Sequence, residues 1–551
     1  MIQKNKALIL LLGIAFVLLS SHPFLWAQQK DPQTVAESSD FTATSRYADV
    51  MKFIEELQQK SSLLRVETLC VSTEGRKIPL LVIGNPVPSS PLALQCDKRA
   101  VIYIQANIHA GEVEGKEATL MLARDILLQE KPPYLDNLVI LIAPIFNADG
   151  NEKISPNNRR RQAGPEKGVG IRYNGQNLDL NRDGIKLESP EVQGMVRNIL
   201  NRWDPFLLVD CHTTNGSYHQ EPVTYVWQLN PNGDLSIIEY MREKMMPSIK
   251  THLKKKYDVL SVPYGNFMDY RNPEKGWRPS GPQPRYITNY IGLRNRMAIL
   301  NENYSYADYK TRVLGCYYFL HSILEYCHGH KDEIMQLIHT ADQRMIQKGL
   351  QPSEDNTFAV EYDLKPLEKK ITVLGYEMEI TEREGARPQV RLTDKEKAYS
   401  VPYYVDFVPK RSVSFPAGYL LPTADSEIIN KLLQHGLLVE KLTKPATLEV
   451  ESFRITEIKG AERIYQGHRT NQVKGEFKRE EIEFPEGTLF IPTAQPLGAL
   501  AAYLLEPESD DGLLVWNFFD RHIVPQWGRT PQACPVYKLL KPAHLAKERV
   551  K

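Results

Sequence analysis

Apolar positions recur along this chain in two different rhythms, and the change between them falls near residue 350. Over Tyr47–Lys60, Val50, Phe53, Ile54 and Leu57 stand at helical spacing and predict an amphipathic helix. Short, nearly uninterrupted apolar runs follow at Ile78–Ile83, Val101–Gln105, Leu138–Ile142, Phe206–Val209 and Ala298–Leu300. Segments with helical spacing lie between or after them, at Glu114–Leu128, Pro190–Asn201, Tyr309–Tyr326 and Lys331–Gln347. Strands apolar on both faces that alternate with helices predict an α/β fold, a mixed and mostly buried sheet flanked by helices. Ligands in such a sheet are expected at strand ends, where loops lead into helices.

Beyond a boundary placed between Lys348 and Lys370, short strand-like runs separated by turns take over. They are Ile371–Glu382, Gln389–Leu392, Val401–Val408, Ala446–Ile455 and Thr488–Ile491, with helical spacing only at Ser426–His435 and Ala494–Leu505. This predicts a first domain over 45–350 and a second, α+β or β-rich domain over 370–551. Trp516, Phe518 and Phe519 in the latter read as core packing.

The opening residues follow neither rhythm. Lys4 and Lys6 precede an apolar run from Ala7 to Ser21, and Ala27 suits a cleavage point, so residues 1–27 read as a secretory signal peptide. Residues 28–44 are polar and expected to be flexible. No later stretch is apolar enough to span a bilayer, so a secreted or periplasmic protein without a stable membrane span is expected after cleavage.

Composition narrows the partners. With 68 basic and 67 acidic residues the formal charge is +1, which gives no electrostatic case for nucleic acid or an anionic membrane. Six cysteines in 551 residues make no disulfide scaffold. Cys70 and Cys96 flank the first strand region and would suit a pair in an exported protein, while Cys211 reads as packing. No oligomeric state follows from the pattern.

The candidate chemistry sits at strand ends. The run Val101–His109 is a strand finishing on a histidine, Ala110-Gly111 turns the chain, and Glu112 stands before a helix. Phe206–His212 is another apolar strand that delivers a histidine at its end. Two histidines and a glutamate brought to one sheet edge are the ligand set of a zinc site that keeps a fourth position for water. Elsewhere, His328-Gly-His330 lacks a convergent acid.

Several ordered motifs accompany these ligands: Ser72–Arg76, Pro144–Gly150, Asp179-Leu-Asn181-Arg182, and the strand leading to Glu302. Together they resemble the zinc carboxypeptidase superfamily over roughly residues 45 to 330. The resemblance implies His109, Glu112 and His212 as ligands of one Zn2+ per catalytic domain. It implies Asp179 as the partner that fixes the His109 tautomer. Asn181 and Arg182 would hold the terminal carboxylate of a peptide substrate, a task suited to a planar guanidinium. Glu302 would be the base that moves the proton of a zinc-activated water. An arginine to stabilise the oxyanion is implied within Arg159-Arg160-Arg161, with Arg161 the best match and its two neighbours the alternatives. Tyr286 and Tyr290 are both available to cover the peptide. Arg285, Arg294 and Arg296 either select an acidic substrate or face solvent.

The expected function is an exported zinc metallocarboxypeptidase acting on C-terminal peptide bonds. Two alternatives stay open. One is an amidohydrolase of the same superfamily, acting on peptidoglycan stem peptides or N-acyl amino acids. The other is a non-enzymatic peptide-binding protein.

Overall fold

Ten strands between Leu64 and Tyr304 carry the scaffold of the site. They are β1 (Leu64–Val71), β2 (Lys77–Ile83), β3 (Ala100–Ala106), β4 (Leu138–Ala143), β5 (Leu207–Thr214), β6 (Val223–Trp227), β7 (Ser261–Pro263), β8 (Asn266–Phe267), β9 (Trp277–Arg278) and β10 (Met297–Tyr304). This is a computed structural model, which describes residues 31–214, 216–381, 389–423, 425–523 and 534–550. The proposed signal peptide therefore lies outside the described residues, as does the side chain of Cys96. Among the described residues no helix is long and apolar enough to cross a membrane.

Eight of the strands form one sheet in the order β1-β2-β4-β3-β5-β10-β6-β7. The central strands β4, β3, β5 and β10 run parallel, and antiparallel partners flank them on both sides. Every residue of β3, β4 and β5 is buried, as strands covered by helices on both faces should be. The helix Glu114–Leu127 covers one face, and the helix Tyr309–Leu350, broken at His330, runs past it. The mixed, mostly buried sheet flanked by helices is thus present as the apolar runs foretold.

The strand β1 was not foreseen. It is an edge strand, only Leu64 and Leu69 of its eight residues are buried, and so its apolar signal is weak. A second difference concerns residues 28–44, expected to be flexible. Val35–Ser38 forms a helical turn closed by a capping box between Thr34 and Glu37, and Ala36 is fully buried. Thr44 and Ser45 bind the buried carboxylate of Glu117, which ties this stretch down.

After the long helix the architecture changes between Leu350 and Thr357. Thr357–Pro366 pairs with Tyr404–Ser414, and Ile371–Thr381 pairs with Gln389–Val401, each antiparallel. A separate seven-stranded sheet follows, and all its pairings are antiparallel. Its helix Gly498–Leu505 is buried throughout and packs on the end of the long helix, where Asn295 Nδ2 also donates to Pro496 O at 3.0 Å. Trp516, Phe518 and Phe519 belong to the buried core. The apolar core runs without a break from Val50 to Val536, and residues 34–551 make one compact unit.

Candidate metal and peptide site

Three parallel strands deliver the central side chains. Beyond β3, Asn107 takes a left-handed conformation (φ 65°), and its Nδ2 donates to the carbonyls of Ala110 and Glu112. This ties the His109–Glu112 loop into a fixed turn ahead of the next helix. In β5 and β10 the parallel register sets Glu302 opposite His212, so both side chains leave the same face of the sheet. Cys211 points to the other face and is buried there, in keeping with a packing role.

The ligand atoms converge. His109 Nδ1 lies 3.0 Å from Glu112 Oε1, His212 Nδ1 lies 3.0 Å from Glu112 Oε2, and the two Nδ1 atoms are 3.2 Å apart. Tetrahedral zinc with bonds of about 2.0–2.1 Å separates its ligands by roughly 3.3 Å, so the set fits such an ion. The opposite ring nitrogens each have a carboxylate beside them. His109 Nε2 sits 3.0 Å from Asp179 Oδ1, and His212 Nε2 sits 2.9 Å from Asp210 Oδ2. The His109 Nε2–H is directed at Asp179, which leaves its Nδ1 lone pair facing Glu112 and calls for a cation there; His212 Nε2 has the charge of Asp210 beside it without hydrogen-bond geometry. Among the described residues this is the one group of histidine, cysteine and acidic side chains that converges in this way.

The electrostatics agree. Burial alone would depress the His212 imidazole, yet Asp210 and Glu112 hold it well above its usual range. Burial would raise Glu112 and Asp179, but His109 and the arginines keep both far below the carboxylate range. Glu302 behaves differently: burial, aided by Glu112, pushes its carboxyl up to about 8 against the pull of His212, Arg159 and Arg172. A carboxyl poised in that range suits a group that takes and returns a proton.

A single cavity is lined by His109, Glu112, Glu302, Asn181, Arg182 and Tyr286. Asp179 also caps the turn Leu180–Arg182, where Oδ1 accepts from Asn181 N at 3.0 Å. Asn181 Oδ1 accepts from Ile287 N at 2.9 Å, so its amide NH2 is the side that can donate to a ligand. The Arg182 guanidinium lies over the Tyr286 ring, 4.4 Å from its centroid.

Two expectations need correction. Arg161 is exposed and does not line the cavity; Arg159 does. Arg159 adopts φ 47°, which turns its side chain inward, where NH1 reaches Glu112 Oε1 at 2.9 Å and NH2 donates to Thr213 O at 3.0 Å. Glycine at 111 makes room for it, since a Cβ there would stand 2.6 Å from Arg159 Cδ. Tyr290 is also absent from the cavity. It lies one helical turn beyond Tyr286, fully buried, with its hydroxyl 2.8 Å from His435 Nδ1. Arg285, Arg294 and Arg296 neither line the cavity nor simply face solvent, because Asp511, His435 O and the pair Asp204/Asp342 engage them.

Other residues escaped the sequence reading. Asp210, the partner of His212, was available from strand alternation, two positions back on the same face. Arg172 donates from Nε to Asp179 Oδ2 at 2.7 Å and lines the cavity, but no motif marks it. Val226, Trp227, Leu229 and Leu300, with Tyr264, give the cavity an apolar wall.

Residues 50–258 match the family model of the zinc carboxypeptidases (peptidase M14), so a zinc carboxypeptidase domain is present in this chain. The match ends before Glu302, which β10 brings to the site. Carboxypeptidase 2 of Trichophyton rubrum is 23% identical over 531 residues, covering 92% of this chain and 89% of its own. Carboxypeptidase 2 of Trichophyton equinum is 24% identical over 488 residues, covering 85% and 81%. Among solved structures, a metallo-carboxypeptidase from Burkholderia cenocepacia aligns with 17% identity and a TM-score of 0.38, over 51% of this chain and 69% of that one.

Proposed function

We propose that this chain is an exported zinc-dependent metallocarboxypeptidase that removes the C-terminal residue of peptides, with residues 45–350 as its catalytic part. The observation that carries this reading is that His109 and Glu112 of the His109–Glu112–His212 cluster line one cavity with Glu302 and the pair Asn181–Arg182. Two fungal relatives bearing the name carboxypeptidase 2 agree with it. Export rests on the basic and then apolar opening segment.

When bound by His109, Glu112 and His212, a zinc ion supplies a Lewis acid that polarises a carbonyl and acidifies water. In this reading Arg182 and the Asn181 amide bind the terminal carboxylate by directional, charge-assisted hydrogen bonds. Tyr286, stacked on Arg182, limits the guanidinium to few orientations. Glu302 accepts the proton of the attacking water and returns it to the departing amine. Arg159, held against Glu112, donates to the carbonyl oxygen as negative charge develops there. The wall of Val226, Trp227, Leu229 and Leu300 suits a neutral side chain at the substrate terminus.

The test is to incubate the zinc-loaded protein with a peptide library, an N-acyl amino acid set and peptidoglycan stem peptides, and to read products by mass spectrometry. Stepwise loss of C-terminal residues from linear peptides, abolished in Glu302→Gln, is the expected result. Internal cuts would overturn the reading. So would products from the acyl or stem-peptide substrates alone, which would favour the amidohydrolase.

A further inference from the structure

Two loops form the carboxylate side of the cavity, and both are held by a part of the chain more than two hundred residues away. The first is the segment Asp179–Glu188, which carries Asn181 and Arg182. The backbone N–H of Asp179 donates to Gln466 Oε1 at 2.9 Å. Further along, His435 Nε2 lies 3.0 Å from Ile185 O, Lys431 Nζ donates to Leu187 O at 3.0 Å, and His468 Nε2 lies 2.8 Å from Glu188 Oε1. The second is the segment Gln283–Tyr286. Gln283 Nε2 donates to Asp510 Oδ2 at 3.1 Å, and Asp511 accepts from the backbone N–H of Arg285 at 2.8 Å and forms an ion pair with its guanidinium at 2.8 Å. The two segments also bond to each other, through Gly184 N to Arg285 O and Ile287 N to Asn181 Oδ1.

Gln466 is aimed at its target by a strained backbone. Tyr465 and His468 exchange two backbone hydrogen bonds, which leaves Gln466 and Gly467 as a two-residue hairpin turn with φ 52° and 83°. Glycine takes that conformation freely, whereas a glutamine is strained in it. The neighbouring Tyr465 ring stacks with Trp516, and the Arg285 guanidinium lies 5.7 and 5.2 Å from those two ring centroids. Trp516 Nε1 in turn donates to Asp511 at 2.9 Å. The hairpin tip and the Asp510–Asp511 pair thus form one connected unit that touches both loops.

We propose that the C-terminal region is a positioning device for the carboxylate-binding half of the active site. Through Gln466 and Asp511 it sets the places of the segments that carry Asn181, Arg182 and Tyr286. Neither Gln466 nor Asp511 lines the cavity, so both act through the residues they hold. Of the metal ligands, His212 stands on β5 and His109 and Glu112 in the turn after β3; the device reaches them only through Asp179, so it governs substrate capture more than metal binding. The proposal rests on the carboxypeptidase reading for its kinetic consequence, but its structural consequence stands apart from it.

The test uses the full-length, zinc-loaded chain with Gln466→Met, which keeps the side-chain length and loses the acceptor, and Gln466→Glu, which keeps an acceptor. Losing one such hydrogen bond should raise KM for a free-terminus peptide by about three- to tenfold. The kcat and the zinc affinity should stay within about twofold, and Gln466→Glu should restore KM. Asp511→Asn puts an amide NH2 against N–H donors and should raise KM at least as far. In Gln466→Met, amide hydrogen exchange should quicken over 179–188, and in Asp511→Asn over 283–290, with β3 unchanged as the reference. Parental KM and exchange in Gln466→Met would overturn the proposal. So would a loss of kcat and zinc affinity together that Gln466→Glu does not restore. If the parent fails to cleave free-terminus peptides, the carboxypeptidase reading falls, and hydrogen exchange alone then decides on the positioning device.

Discussion

The two sides of the cavity are built on different principles. On the metal side, His212 and Glu302 stand opposite each other in neighbouring strands, and His109 and Glu112 follow directly from a third. Their places are set by strand register within a sheet whose central strands are wholly buried. On the carboxylate side, Asn181, Arg182 and Tyr286 stand in or next to short turns whose backbones are held from outside by Gln466, His435 and Asp511. A metal needs ligand atoms fixed within tenths of an ångström, and a register-locked sheet edge supplies that. Substrate choice is the part carried by loops, and here the loops are held by a helix end and turns of the C-terminal region.

Breaking the metal side should cost the most. Replacing the base in Glu302→Gln is expected to lower kcat by about 10²–10⁴-fold with little change in KM, as read by steady-state kinetics. An equal fall in Glu302→Gln and in an unrelated surface variant would remove Glu302 from the chemistry. Next comes the arginine at the junction of the two sides. Arg159→Ala should lower kcat by about 10²–10³-fold, whereas Arg161→Ala, an exposed position, should stay within about twofold. The reverse order would restore the assignment to Arg161.

Smaller effects test the supports. Asp210→Asn exchanges the acceptor facing His212 Nε2 for an amide, and zinc affinity measured by chelator competition should weaken by about 10–100-fold. Unchanged affinity would mean that the His212 tautomer does not depend on Asp210. The carboxylate side should respond to pH through KM, separately from the response that Glu302, raised to about 8, brings to kcat. Burial pushes the Asp511 carboxyl up to about 7, with Asp510 adding to the rise and Arg285 opposing it. Above that pH the ionised group accepts from Arg285 and Trp516; below it, the added proton faces those N–H donors. KM should therefore rise by about two- to threefold as pH falls from 8 to 6. The rise should vanish in Asp511→Asn, and its persistence there would assign it to another group. Glu112 and Asp179 stay ionised across that range because their neighbours hold them far below it.

The same contrast explains what could be read from the sequence. The two histidines were legible because each closes an apolar run of strand length, and Glu112 because it stands three residues after His109. Asp179 and Arg182 were legible through the company they keep in one short motif. Arg159 was not separable from Arg161, because a left-handed backbone at a non-glycine residue leaves no trace in the side-chain pattern. Tyr286 and Tyr290 look equivalent in sequence, yet one precedes a short helix and meets the cavity while the other is one turn inside it and faces His435. The edge strand β1 passed unseen because half-exposed strands carry mixed residues. Gln466 lies 287 residues from the backbone it binds, a separation at which no local pattern speaks.

The role proposed for this cavity is to read a free terminal carboxylate next to a zinc-type hydrolytic centre. The most direct measurement is the ratio of kcat/KM for one peptide with a free C terminus to that for its amidated twin, in the zinc-loaded parent and in Arg182→Ala. The expected ratio is above about 100 in the parent and collapses toward one in the variant, since a buried charge-assisted contact is worth about 2–5 kcal/mol. A ratio near one in the parent, or an undiminished ratio in Arg182→Ala, would contradict it.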